Sequence, residues 1–203
     1  MKYIKWKILL ITCLICLLPI AFGFAVWDRL PDVMAIHFDI NNNADNFVPK
    51  GTAVIWLPAF MTILQIFCCI AADMDAKKNG EVKKFEVVSK WITPVICLVL
   101  QSVTIGIGLG YSLDVRKVAV GLVGLVFILL GKYMPELDHV KNYKIDKEKA
   151  RKINRFIGRE SVIMGVLFVV SIFLPPIASI VCLLLLIPYT VISVIYGIKV
   201  GRK

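Results

Sequence analysis

The chain has 203 residues, 59% of them apolar, and a formal charge of +10. So apolar a chain leaves no room for a separate soluble domain. Its basic excess would suit nucleic acid, but the residues carrying it fall on alternate sides of apolar stretches, which membrane topology accounts for more simply.

Six such stretches follow one another: Trp6–Val26, Ala53–Ala72, Trp91–Leu113, Val118–Gly131, Ser161–Leu174 and Ile177–Ile198. A helix needs about 20 apolar residues to cross the hydrocarbon core. The fourth and fifth stretches fall short. They must borrow flanking residues, such as Lys132–Met134 and Phe156–Glu160, or sit tilted.

The first stretch follows a basic Met1–Lys7 and ends near Gly23-Phe24-Ala25, which resembles a cleavage site. Its apolar run is long and suits an uncleaved anchor. Cys13 and Cys16 within it have C-x-x-C spacing, without the charged neighbours that activate a thiol. All six cysteines lie in apolar stretches and read as small packing residues.

Trp27–Thr52 is the one long outer segment, net acidic through Asp28, Asp32, Asp39 and Asp45 against Arg29 and Lys50. Val33–Ile40 is β-prone and Asn41–Ala44 is a turn signal, so a short hairpin docked on the helix ends is expected. Leu30, Ile36, Phe38 and Phe47 are its expected anchors, with Trp27 and Trp56 at the interface. Asp39, Asn41, Asn43 and Asp45 alternate as in a calcium loop. Ala44 and Lys50 stand where that loop needs Gly and Glu, so a plain Asx turn is the better reading.

Gln65 and Gln101 are the notable polar groups of the spans and read as hydrogen-bonded links between helices. Gly106 and Gly110, with Gly108 between them, and Gly121 and Gly124 predict close packing of the third and fourth spans through Asp114–Lys117. Pro135–Glu160 is the largest inner segment. Asp146 is a partial N-cap for a helix to Arg159, with Ile145, Ala150, Ile153, Phe156 and Ile157 near one face. Lys144, Lys147, Lys149, Arg151, Lys152 and Arg155 give that segment a basic surface for anionic lipid or a cytoplasmic regulator. Pro175-Pro176 breaks the chain between the last two spans.

Twenty of the 24 basic residues flank the stretches on one side, leaving Arg29, Lys50, Arg116 and Lys117 on the other. Because Lys and Arg accumulate on the cytoplasmic side, both termini are expected inside. No ionisable residue lies centrally in any span, which disfavours a proton-coupled transporter and most ion channels. No nucleophile–base pairing occurs within the spans either, so an enzyme is not expected.

Leu30-Pro31-Asp32, then Ile36-His37-Phe38, then the Asn-rich residues with Asp45 and Lys50, resemble the "L-P-D…I-P-x-H-F-N…G…D…K" loop of a small bacterial membrane domain of unknown function. That domain commonly forms the N-terminal half of SdpI-type immunity proteins. The resemblance covers roughly residues 6–72. In the second half, Gly131-Lys132-Tyr133-Met134-Pro135, Asn142-Tyr143, Ile153-Asn154-Arg155-Phe156 and Gly158 are similar to the SdpI pattern, whereas its G-I-R-T-P-W-T-L core is absent.

The resemblance implies a multi-pass protein of the bacterial cytoplasmic membrane that protects its host against a secreted peptide toxin, with possible recruitment of a cytoplasmic transcriptional repressor. The expected fold is an all-α six-span bundle with a short ordered external element. Its expected pieces are residues 1–72, 73–134 and 135–203 of one membrane domain. Asp32, His37, Asp39 and Asp45 are the candidate toxin-recognition residues. No cofactor, metal or direct nucleic-acid partner is expected. Alternatives are a receptor that only sequesters a regulator, and a small-solute transporter.

Overall fold

The computed structural model describes residues 4–79, 83–137, 139–140 and 145–202. The described chain has six α-helices, one β-hairpin and two single 3-10 turns at Trp27–Arg29 and Met134–Glu136: α1 (Trp6–Ala25), β1 (Val33–Phe38), β2 (Ala44–Pro49), α2 (Lys50–Asn79), α3 (Lys83–Gly108), α4 (Val115–Tyr133), α5 (Lys147–Ser171) and α6 (Pro176–Arg202). Five helices, all but α5, are long and apolar enough to cross a membrane and mark the chain as a membrane protein. α5 joins the basic amphipathic segment and the fifth apolar stretch into one continuous helix. Its charged first half keeps it outside that group.

The chain forms two compact units, Met1–Lys78 with Ser89–Ala119, and Asn79–Val88 with Val120–Lys203. In the first, α1, α2 and α3 are linked through buried amides. Gln65 Nε2 donates to Thr12 Oγ1 at 2.9 Å and to the Lys90 carbonyl at 2.8 Å, and Gln101 Nε2 donates to the Ala53 carbonyl at 2.9 Å. Both glutamines are the interhelix links expected of them. Cys16, Cys69 and Cys97 are buried here, and all six cysteines are free.

α2 is longer than its apolar stretch. Its 30 residues rise about 45 Å against a hydrocarbon core of about 30 Å. The extra turns carry Asp73, which pairs with Lys90 of α3. The two side chains are 2% and 1% exposed. The Lys5 backbone N–H also donates to Asp73 Oδ2 at 3.0 Å, so α1 joins the cluster at its first turn. Lys90 is therefore a buried helix residue and not a loop charge, because α3 begins before its apolar stretch does.

Of the glycines expected to pack closely, Gly106 lies against Leu113, whereas Gly110 ends the helix. Gly110 takes φ +91 just past the end of α3. Its N–H reaches the Ile107 carbonyl, and that of Tyr111 reaches Gly106, which ends the helix with a left-handed cap. Gly108 instead gives room to the hairpin.

In the second unit, the close approach is between α4 and α5. A Cβ on Gly124 would lie 2.8 Å from the Gly165 carbonyl oxygen, and one on Gly131 would lie 2.6 Å from that of Gly158. The two pairs recur at the same seven-residue interval on both helices, so the backbones touch twice along one seam. Phe168 is fully buried between α4 and α6, beside Phe127, Cys182 and Tyr189. Ser161 Oγ and Tyr189 Oη are hydrogen-bonded at 2.8 Å.

Candidate functional site

The hairpin is built from the turn outward. Asp39 accepts hydrogen bonds from the Asn41 and Asn43 backbone N–H groups, both at 2.8 Å, and from Asn43 Nδ2 at 3.0 Å. This is the Asx turn expected. Asn42 sits at its tip with φ +66, a conformation asparagine tolerates. Its side chain then does what a strand backbone would: Nδ2 donates to the Leu113 carbonyl at 3.0 Å, and Oδ1 accepts from the Val115 N–H at 2.8 Å. The tip is thereby fastened to the α3–α4 turn.

The antiparallel register pairs Met34 with Val48 and Ala35 with Phe47. One extra residue then enters each strand, Ile36 in β1 and Asp45 in β2. The bulges undo simple alternation. Met34 points inward, 2% exposed, and packs with Leu30 against Ala53, Val54 and Ile105. A Cβ on Gly108 would meet Met34 Cε at 2.7 Å, so the missing side chain is part of the seat. Leu30 is an anchor as expected, but Ile36 and Phe47 turn outward at 45% and 55% exposure. Met34 fills the seat instead, and the bulge at Ile36 turns that next even-numbered residue outward.

The four candidate residues share this hairpin but not one cluster. His37 Nδ1 contacts Asp45 Oδ1 across the strands, and both side chains are exposed. Asp32, almost wholly exposed, pairs with Lys50 Nζ at 3.0 Å, and Lys50 in turn lies 5.1 Å over the Trp27 ring. Asp39 is committed to the turn. Among the described residues no three His, Cys, Asp or Glu side chains converge as metal ligands. The outward face thus combines apolar Val33 and Phe47 with a His37–Asp45 pair.

The hydrogen bonds from Asn43 hold the Asp39 carboxyl below its ordinary pKa of 3.8. A depressed folded-state pKa gives stability that is present above the unfolded value and lost as pH falls through the folded one. The hairpin should therefore keep its amide protection down to about pH 4 and loosen below it. Exchange at Asn41 and Asn43, followed by NMR in detergent, checks this; Asp39→Asn should flatten the profile.

The other candidate surface is the start of α5. Asp146 caps it, accepting from Glu148 and Lys149 N–H at 3.3 and 3.4 Å. Lys147, Arg151, Lys152 and Arg155 are exposed, and Lys149 is half-buried; Lys144 lies outside the described residues. Of its apolar face, Ala150 and Ile153 are buried in protein, whereas Ile145, Phe156 and Ile157 are only partly covered. Asn154 donates to the Leu137 and His139 carbonyls at 3.1 and 2.8 Å. Gly131, Pro135, Asn154 and Gly158, which carry the resemblance in the second half, meet at this corner.

Residues 14–62 match the domain of unknown function DUF1648. This domain is found in SdpI-type membrane proteins. The match starts inside α1, takes in the whole hairpin and ends inside α2. Comparison with characterised proteins and with solved structures gave no match.

Proposed function

We propose that the protein is a membrane immunity protein of SdpI type, protecting a bacterial host against a secreted antimicrobial peptide. The observation that carries this reading is the match over residues 14–62, centred on a hairpin that is docked rather than tethered and turns an apolar and acidic face outward. In this reading the hairpin is external, α5 completes six spans, and both termini are cytoplasmic. The basic split between the two sides supports that orientation. A cationic amphipathic peptide would find Phe47 and Val33 for its apolar side and the hairpin carboxylates for its charge.

Topology can be read with single cysteines in a variant lacking the six native ones. A maleimide that cannot cross membranes should label Asn46→Cys in intact cells and Lys78→Cys only after permeabilisation. Labelling of both from one side would reject the six-span arrangement.

Expression in a peptide-sensitive strain should confer resistance. Asp32→Ala, His37→Ala and Asp45→Ala should each lower it about fivefold, the equivalent of an exposed charge contact of up to about 1 kcal/mol. Salt should weaken the effect of all three. Asp39→Ala should act by loosening the turn. A well-expressed chain that protects against no peptide of its host or close relatives would end the immunity reading. Resistance unchanged by all four substitutions would move the site elsewhere.

The basic ridge of α5 supports a second role, recruitment of a cytoplasmic regulator. Because Ala150 is buried, charge reversal at Lys147, Arg151, Lys152 and Arg155 tests this better than deletion. Reversal should spare resistance and abolish recruitment of the regulator to membranes.

A further inference from the structure

Most glycines of the second unit are pressed by neighbouring atoms, but two near the end of α6 are not. A Cβ on Gly197 would meet nothing within 4 Å, and one on Gly201 would only reach Ile145 Cγ2 at 4.0 Å. These residues, one turn apart, open into a cleft of about 650 Å³. Ile145, Ile153 and Ile157 form one wall, and Tyr189, Val194 and Ile198 the other. Arg202 stands at one end.

Shape and charge together limit the occupant. Between Tyr189 and Arg202 the helix rises about 20 Å, slightly more than the roughly 15 Å depth of one leaflet's hydrocarbon. The walls are mainly apolar along that length, and the cation lies where the helix ends. Lys199 is on the preceding turn, and exposed Lys147 and Lys152 belong to the adjoining start of α5. Among the described residues, the α5 carboxylates at this end are already engaged, Asp146 in the helix cap and Glu148 with Lys152 at 3.0 Å. A water-soluble ligand would meet few polar groups here.

We propose that the cleft binds one anionic phospholipid, with an acyl chain between α5 and α6 and its phosphate at Arg202. The site does not depend on the immunity reading.

The full chain, purified in mild detergent and supplied with equal phosphatidylglycerol and phosphatidylcholine, would be examined by native mass spectrometry. Wild type should retain phosphatidylglycerol at least fivefold over phosphatidylcholine. Gly197→Phe should fill the open space and cut retained lipid about tenfold without lowering the thermal midpoint. Ser193→Leu is a second filler; its buried hydroxyl has no partner among the described residues, so no hydrogen bond is lost. Arg202→Gln should keep lipid but lose the preference. Equal retention of the two lipids by wild type would overturn the proposal. So would folded fillers that keep as much lipid as wild type, or a wild-type dimer that Gly197→Phe splits while lipid remains.

Discussion

Asp73→Ala should lower the stability of the protein by about 3–5 kcal/mol, the largest effect expected of any single polar substitution in it. The change takes the Asp73 carboxylate away from a Lys90 ammonium that is 1% exposed and removes an acceptor of the Lys5 N–H. A buried pair is weak evidence of net stabilisation, since both charges were desolvated to form it. Breaking one half is costly because the other half's desolvation is no longer offset. The double variant Asp73→Ala/Lys90→Met should therefore recover most of the loss. Thermal unfolding in detergent measures both. A single variant that melts with wild type would show that Lys90 is satisfied without Asp73.

Gly165→Leu should be nearly as damaging, through packing alone. Its Cβ would lie 2.6 Å from the Gly124 carbonyl oxygen and 2.8 Å from the Ile128 backbone nitrogen. These are backbone atoms and cannot turn aside as a side chain can. Overpacking of this kind costs about 1–3 kcal/mol and more where the helices must separate. Gly197→Leu, the same substitution on a helix face with empty space, should cost little. If the two variants melt alike, the α4–α5 seam is not where the second unit is held.

The apolar stretches, the hairpin, the Asx turn and the Asp146 cap were legible because each is encoded within a few neighbouring residues. What escaped involves partners distant in sequence. Asp73 and Lys90 look like ordinary charges flanking spans; only the extension of both helices beyond their apolar runs brings them together. Gly158 and Gly165 lie seven residues apart in a segment that passes from charged to apolar, and nothing local marks them as facing Gly131 and Gly124. Within the candidate site, the Asn42 clamp joins residues some seventy positions apart. The two bulges also cancel the period from which inward and outward residues are read. All four predicted site residues lie on one element, yet their present partners, Lys50, the turn amides and each other, could not be read from spacing.

The continuous α5 has a mechanical consequence. Its 25 residues form a rod about 37 Å long, with a charged ridge at one end and an apolar end beginning near Ser161. An unbroken helix transmits tilt or rotation from end to end with little bending, so a push on Arg151 is felt at Ser171. The rod bears on α4 most closely at Gly158 and Gly165, where backbone meets backbone with the Pro135 and Ile128 side chains beside it. So close an approach fixes the separation of the two helices there and makes the seam a fulcrum. A load on the charged arm of this lever would tilt the apolar arm in the opposite sense.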